Sequence, residues 1–388
     1  MAESSAPARQ AGIEALWFSL LEPGVARTLA MPLLVLAALA FHAARLAKFW
    51  IFRLRLFPRT RLEAFTVSIG NLAVGGTGKT PATLLVARFL SERQGSGVAV
   101  LCRGYGSRNR EWVRRVSDGG ALAADAGLGG DEAYLLASGL TGASVYVGKR
   151  RALTGRAAAA DGHAAVVLDD GFQYWRLERD LDIVCFSALW PLEAYRLFPI
   201  GILREPLARL RDARFALVSG AGDVPPEQVA RLERTLREAA PGIGIARIDS
   251  TIRGLSCPGT RELLGGRELV AGKRVLAVSN IVNPSRFLKS LARDLGAEGA
   301  ALAFPDHHCH APADVKRMFA RAVAERAHAI VATEKDEQSL AELALPHSTI
   351  PLWIARSEPV LSGEVAAELL RALAEGLGAR RAAGGAAR

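Results

Sequence analysis

Gly75, Gly76 and Gly78 stand directly ahead of Lys79, Thr80 and Pro81, and residues of those types in that order suit a polyphosphate. Glycines let successive backbone N–H groups curl around an anion with no Cβ in the way. With Thr77 between them, they make Gly75–Thr80 a cradle. Lys79 would reach the β/γ-phosphates, and the Thr80 hydroxyl would coordinate Mg²⁺. A short apolar run precedes the cradle, and an apolar stretch with helical spacing follows from Pro81. That is the order strand, loop, helix, with the positive end of the helix dipole aimed at the same anion. One departure is Ala73, where the strict pattern has glycine six residues before the lysine. A second carboxylate-bearing motif lies about 90 residues further on: the run Ala164–Leu168 delivers Asp169, Asp170 and Gly171. An apolar strand that ends in Asp beside a phosphate loop supplies the Mg²⁺ shell. Asp169 is the metal candidate, and Asp170 could orient a neighbour or a water. Asp-Asp-Gly alone would also make an ordinary turn. The two motifs together point to a nucleoside triphosphate, taken as ATP, with Mg²⁺.

The segments around these residues alternate. Strands read at 65–70, 98–101, 144–147, 166–169, 183–186 and 215–219, with helices at 83–92, 131–138 and 149–160 between them. Such alternation predicts a parallel sheet with helices on both faces. A second alternation starts at Lys273, with strands at 275–279, 300–304, 329–332 and 350–354 and helices after Pro284 and over 313–327. The expected fold class is therefore α/β: a parallel sheet of the P-loop NTPase type, a second smaller α/β lobe and an N-terminal membrane-associated helix. The expected divisions are 1–60 for that helical segment, 61–250 for the phosphate-loop domain, 251–375 for the C-terminal lobe and 376–388 for a disordered tail.

Between Thr28 and Ala44 no charged residue occurs, and 17 residues fall slightly under the roughly 20 that a spanning helix wants. Arg45, Lys48, Arg53, Arg55, Arg59 and Arg61 then interleave with Phe49, Trp50, Ile51, Leu54 and Phe57, as in a helix lying on anionic lipid. A buried core helix with a charged edge is the alternative. The formal charge of +10 favours an acidic partner. Aromatic residues are few and none stack among the basic clusters, which argues against nucleic acid. Cys102, Cys185, Cys257 and Cys309 stand far apart with no C-x-x-C spacing, which suits a reducing compartment.

Taken together, the chain resembles the tetraacyldisaccharide 4′-kinase family from about Phe65 to Asp336. The carriers are the Ile69-Gly-Asn-Leu block with its Gly-Gly-Thr-Gly-Lys-Thr-Pro, Arg103-Gly-Tyr-Gly106, Gly130-Asp131-Glu132 and Asp169-Asp-Gly-Phe-Gln173. Leu203-Arg-Glu-Pro206, Asn283-Pro-Ser-Arg-Phe287, Phe304-Pro-Asp-His307 and Thr333-Glu-Lys-Asp336 complete the set. Departures fall at Ala133, Tyr174, Ile202 and the turn Asn280–Asn283, and Tyr174 stands where the family has His. The resemblance implies ATP-dependent phosphorylation of the 4′-hydroxyl of an acylated glucosamine disaccharide 1-phosphate, giving lipid IVA in lipid A biosynthesis. It implies an inner-membrane enzyme with its lobes facing the cytoplasm.

Resemblance also points to Asp131 as the base that accepts the hydroxyl proton, partnered by His307. An Asp hydrogen-bonded to a His can share such a proton. The plain alternative for Asp131 is a helix N-cap. Arg103 and Arg204 suit phosphate, since guanidinium forks match its oxygens, although surface or ion-paired roles are the commoner fate of arginine. His307, His308, Cys309 and His310 invite a metal reading, but adjacent ligands in one loop rarely converge on a tetrahedral ion. His308 and His310 are therefore expected at the loop surface. Thr333–Asp336 could lie near the nucleotide or form a turn. The competing function is a membrane-associated regulatory or transport P-loop NTPase. Against it stand the missing base-reading motif of GTPases and Val74, where one large switch class has lysine.

Overall fold

The computed structural model describes residues 25–385, apart from 55, 95–96, 105–110, 122, 124–128, 261, 281–283, 306–307, 342, 344–345 and 347. The described strands form one 12-stranded sheet in the order β10-β9-β11-β12-β8-β7-β6-β1-β5-β2-β4-β3, with β3 (Arg114–Ser117) at one edge. At the centre lie β1 (Phe65–Asn71), β5 (Ala165–Asp169), β2 (Val98–Cys102) and β4 (Ala143–Val147), each buried at every residue. All four pair in parallel. Their near-continuous apolar composition is what a parallel strand covered on both faces requires. One face is covered by the helices Lys79–Gln94, Asp131–Gly139 and Ala366–Gly385, whose Val86, Leu136 and Leu373 are fully buried. The other carries Arg151–Ala160 and Pro226–Ala239. On the far side of β1 run β6 (Leu181–Ser187) and β7 (Phe215–Ser219). The chain fills the sheet to one side of β1 before crossing to the other. The crevice for a ligand therefore falls at the carboxyl ends of these strands.

The second lobe continues the same sheet. β9 (Arg274–Ser279), β10 (Glu298–Ala303), β11 (Ala329–Thr333) and the start of β12 (Leu352–Ser362) are mutually parallel. β12 then runs antiparallel to β8 (Gly244–Ser256), while the start of β8 pairs with β7. The expected boundary at 250/251 thus falls inside β8, not in a linker. The expected disordered tail differs too, because the helix Ala366–Gly385 continues through its first ten residues. Leu373 and Leu377 are buried against the sheet, and a Cβ at Gly376 would come within 2.3 Å of the Phe65 ring. The tail's small residues suggested disorder, but they allow close packing on β1.

The helix Val25–Arg53 has 29 residues, about 43 Å at 1.5 Å per residue. It contains the window Val35–Phe52, which is long and apolar enough to cross a membrane and is only 12% buried. Leu33, Leu36, Leu39, Leu46 and Trp50 are exposed on it. Its second half docks: His42 Nε2 lies 3.0 Å from the Phe198 carbonyl, Phe49 and Phe52 pack against the Trp175 ring, and Arg45 pairs with Glu205.

Candidate active site

β1 ends at Asn71, and the chain then turns through Leu72–Gly78 into the helix that opens at Lys79. Asn71 Nδ2 donates to Thr77 Oγ1 at 2.9 Å, which pins the turn to the strand that feeds it. Thr77 is buried, and its hydroxyl is occupied by Asn71. Gly75 and Gly78 have φ of +86°, and a Cβ at Gly78 would also lie 2.8 Å from the Ser219 Cβ. Nothing lies within 4 Å of a Cβ built at Gly76, so the loop is open there. A short antiparallel contact braces the loop: Ala73 bridges Leu203, Val74 N donates to Ile202 O at 2.8 Å, and Arg204 N donates to Leu72 O at 2.7 Å. Leu203-Arg204 therefore belongs structurally to the phosphate loop.

The two carboxylates at the end of β5 have different surroundings. Asp169 is buried and accepts from Thr83 Oγ1 at 2.9 Å. Burial, with the charge of Glu132 adding to it, pushes its carboxyl up to about 6. Asp170 sits in the left-handed region at φ 50°, which Asp tolerates better than most residues. Its Oδ1 lies 3.6 Å from Lys79 Nζ and 3.4 Å from an Arg204 nitrogen. Burial opposes ionisation, but Lys79, Arg204 and Arg151 together outweigh it and hold Asp170 below the usual carboxylate range. Arg204 also donates to Asn71 Oδ1. Lys79, Asp169, Asp170 and Arg204 thus converge at one end of the sheet, with Thr80 in the first turn of the helix.

Arg103 follows β2 at the same edge of the sheet and is exposed. Gly130, with φ 91° and ψ 159°, is the N-cap of its helix, so Asp131 is the first helical residue and not the cap. The Asp131 side chain and the whole of His307 lie outside the described residues. His308 and His310 are not loop surface. His310 is 4% exposed and bonds Asp336 at 2.7 Å. His308 bonds Asp314 at 2.8 Å, and Asp314 also caps its own helix through Ala311 N. A ring nitrogen of each histidine and an Asp314 oxygen lie within 4.8 Å of one another. Hydrogen bonds to Asp314 and Asp336 account for that cluster. Thr333–Asp336 opens a helix and is not a bare turn. Thr333 and Asp336 bond each other at the start of the helix Glu334–Ala341, which packs on the helix opened by Asp131. The loop carrying His307 is therefore anchored three residues later, at His310, to the neighbour of Asp131's helix.

Sequence reasoning missed Arg151. It is 4% exposed and donates to the carbonyls of Asp169 at 2.9 Å and Asp170 at 3.3 Å. Its signal was the Lys149-Arg150-Arg151 run just past the carboxyl end of β4, where open sheets bind ligands. Tyr174 faces the Arg151 guanidinium at 5.4 Å and accepts the Ala152 N–H at 3.3 Å. The departure from His thus still supports that helix. Asn71, Thr83 and Glu132 were missed as well, since amides, hydroxyls and lone acids are common everywhere.

A glycine loop between β1 and a helix, a carboxylate pair on the adjacent strand and cations around it define a phosphate-loop phosphotransferase class. The profile of the Tetraacyldisaccharide-1-P 4′-kinase family matches residues 29–374. Similar proteins include the tetraacyldisaccharide 4′-kinase of Anaeromyxobacter sp. (strain K), 40% identical over 334 residues, covering 84% of this chain and 85% of that one. That of Syntrophus aciditrophicus (strain SB) is 39% identical over 310 residues, covering 75% and 80%. The fold matches a crystal structure of LpxK from Aquifex aeolicus in complex with ATP, with TM-score 0.70 and 24% identity over 91% of this chain and 100% of that one. The chain belongs to the tetraacyldisaccharide-1-P 4′-kinase family, and it is a kinase.

Proposed function

We propose that the chain transfers the γ-phosphoryl group of ATP to the 4′-hydroxyl of a tetraacylated glucosamine disaccharide 1-phosphate, giving lipid IVA. The observation that carries this reading is the family match over residues 29–374, which extends well beyond any phosphate loop. The backbone N–H groups of Gly75–Thr80 hold the phosphates. Lys79 and Arg204, which share Asp170, turn to the incoming phosphate oxygens and stabilise the charge that develops on them. Asp170, released from that sharing, orients a neighbouring group or water. Arg103 adds a phosphate contact from the end of β2.

Asp169 and Thr80 would hold Mg²⁺. The fit is electrostatic: Asp169 is buried with the charge of Glu132 against it and titrates near 6, a strain that a divalent cation at its free oxygen relieves. Bound Mg²⁺ would neutralise charge on the β- and γ-phosphate oxygens. Asp131 takes the proton of the attacking hydroxyl, with His307 sharing it. The exposed apolar side chains of Val25–Arg53 would lie in the inner membrane with the lobes in the cytoplasm, so the acyl chains stay in the bilayer while the headgroup reaches the site. The test is to incubate the protein with γ-labelled ATP and the lipid acceptor, then separate lipid from aqueous phase. Label in the lipid is expected. Label found only as free phosphate would favour a regulatory or transport NTPase.

A further inference from the structure

The segment 198–205 is held from two sides. On one side it grips the phosphate loop, through Ile202, Leu203 and Arg204 on the backbone of Leu72–Val74 and through the Arg204 side chain on Asn71 and Asp170. On the other side the N-terminal helix grips it at both ends. His42 and Phe41 meet Phe198, whose N–H donates to Leu203 O at 2.7 Å. Arg45 pairs with Glu205, immediately after Arg204. Glu205 is 4% exposed, and its other oxygen accepts from Arg209 at 3.3 Å. Arg209 in turn lies over the Phe49 ring of the same helix at 4.6 Å. A buried carboxylate whose cations come partly from a second element needs that element seated, because losing a partner leaves an uncompensated charge.

We propose that Glu205 is a positioning residue through which the seated N-terminal helix sets the phosphate loop and hence nucleotide affinity. Arg204 and Glu205 point into different partners from adjacent positions. A shift of Glu205 toward solvent therefore draws Arg204 away from Asp170 and slackens the Leu72–Val74 brace. Seating the helix on residues 198–205 and ordering the nucleotide site become one linked equilibrium. The inference rests on the kinase reading only for the identity of the nucleotide.

The test uses the full chain on anionic phospholipid vesicles, with a fluorescent ATP analogue and no lipid acceptor. Arg45→Gln and Glu205→Gln should each weaken analogue binding by about tenfold. The double variant should be little worse than either single one, and Arg45→Lys should recover most of the loss. Flotation with the vesicles should stay unchanged in Arg45→Gln, since the exposed apolar face is untouched. Unchanged nucleotide binding in Arg45→Gln, additive losses, or a loss that tracks release from vesicles would each overturn the proposal. Because binding is read without an acceptor, failure to label lipid would sink the kinase reading and leave this coupling standing.

Discussion

At the scale of single residues, the site works by giving two adjacent carboxylates opposite tendencies. Asp170 is kept ionised by cations, whereas Asp169 is pressed toward neutrality by burial and Glu132. The folded value of about 6 for Asp169 stands above its ordinary 3.8, so the folded state favours the proton. That contribution to stability is complete below about pH 4 and is lost as pH rises through 6. Asp169→Asn should therefore raise stability at pH 8 by roughly 1–3 kcal/mol and leave it nearly unchanged at pH 4. Paired thermal melts check this, and equal shifts at both pH values would contradict it. The same substitution should remove most transfer. In the unmutated protein, Mg²⁺-dependent nucleotide binding should weaken as pH falls below 6, because a proton competes for the same oxygen. Lys79→Ala should cost at least about a hundredfold in transfer with an unchanged circular-dichroism spectrum; a loss under tenfold would remove the phosphate-loop assignment. Asp131→Asn and His307→Ala should each slow transfer sharply while sparing ATP binding, and their effects should not add. Full additivity in the double variant would dissolve the dyad.

At the scale of elements, the N-terminal helix has two halves with different work. Up to Ala40 it presents exposed leucines, and from Phe41 onward it also touches the catalytic lobe. Deleting residues 1–40 should release the protein from vesicles and spare nucleotide binding, whereas deleting 1–53 should impair both. Flotation and analogue titration of the two truncations decide this, and identical behaviour would contradict the division. The elements that the sequence displayed most openly were those with one dominant local signal. The apolar runs that became β1, β2, β5 and β7 and the glycine turn before Lys79 needed no tertiary information. Strand Arg114–Ser117 carries two arginines in four residues and reads as loop, because its apolar demand is met only at an edge beside β4. The last helix was hidden by small residues whose value lies in close approach to Phe65. His310 looked like surface because its partner, Asp336, is 26 residues away. Its burial depends on that long-range pair.

At the scale of the whole molecule, one continuous sheet joins both lobes, its two parallel sets running in opposite directions, and the proposed chemistry draws on both. Asp131 and the phosphate loop arrive from the first lobe. The loop of His307 arrives from the second, tied by His310 to a helix that packs across the junction. The net charge of +10 adds a long-range attraction to anionic lipid that salt screens over about 10 Å at 0.1 M. Flotation on anionic vesicles should therefore fall at 0.5 M salt, and salt-independent flotation would mean that apolar insertion alone holds the protein. The contact between Arg45 and Glu205 has a kinetic corollary. It sets the nucleotide site one residue away from a helix long and apolar enough to cross a membrane. Under the proposed function, drawing four acyl chains into water would cost about 0.8 kcal/mol for every CH₂, far beyond what a headgroup site could return, so the acceptor would be met by lateral diffusion. The enzyme would then sense how crowded its acceptor is among neighbouring lipids, not how many moles a litre contains. At fixed total acceptor, adding inert phospholipid should slow turnover in proportion to the fall in acceptor mole fraction. Under the same reading, thinning the acceptor in its own membrane would slow the step even with the total content unchanged.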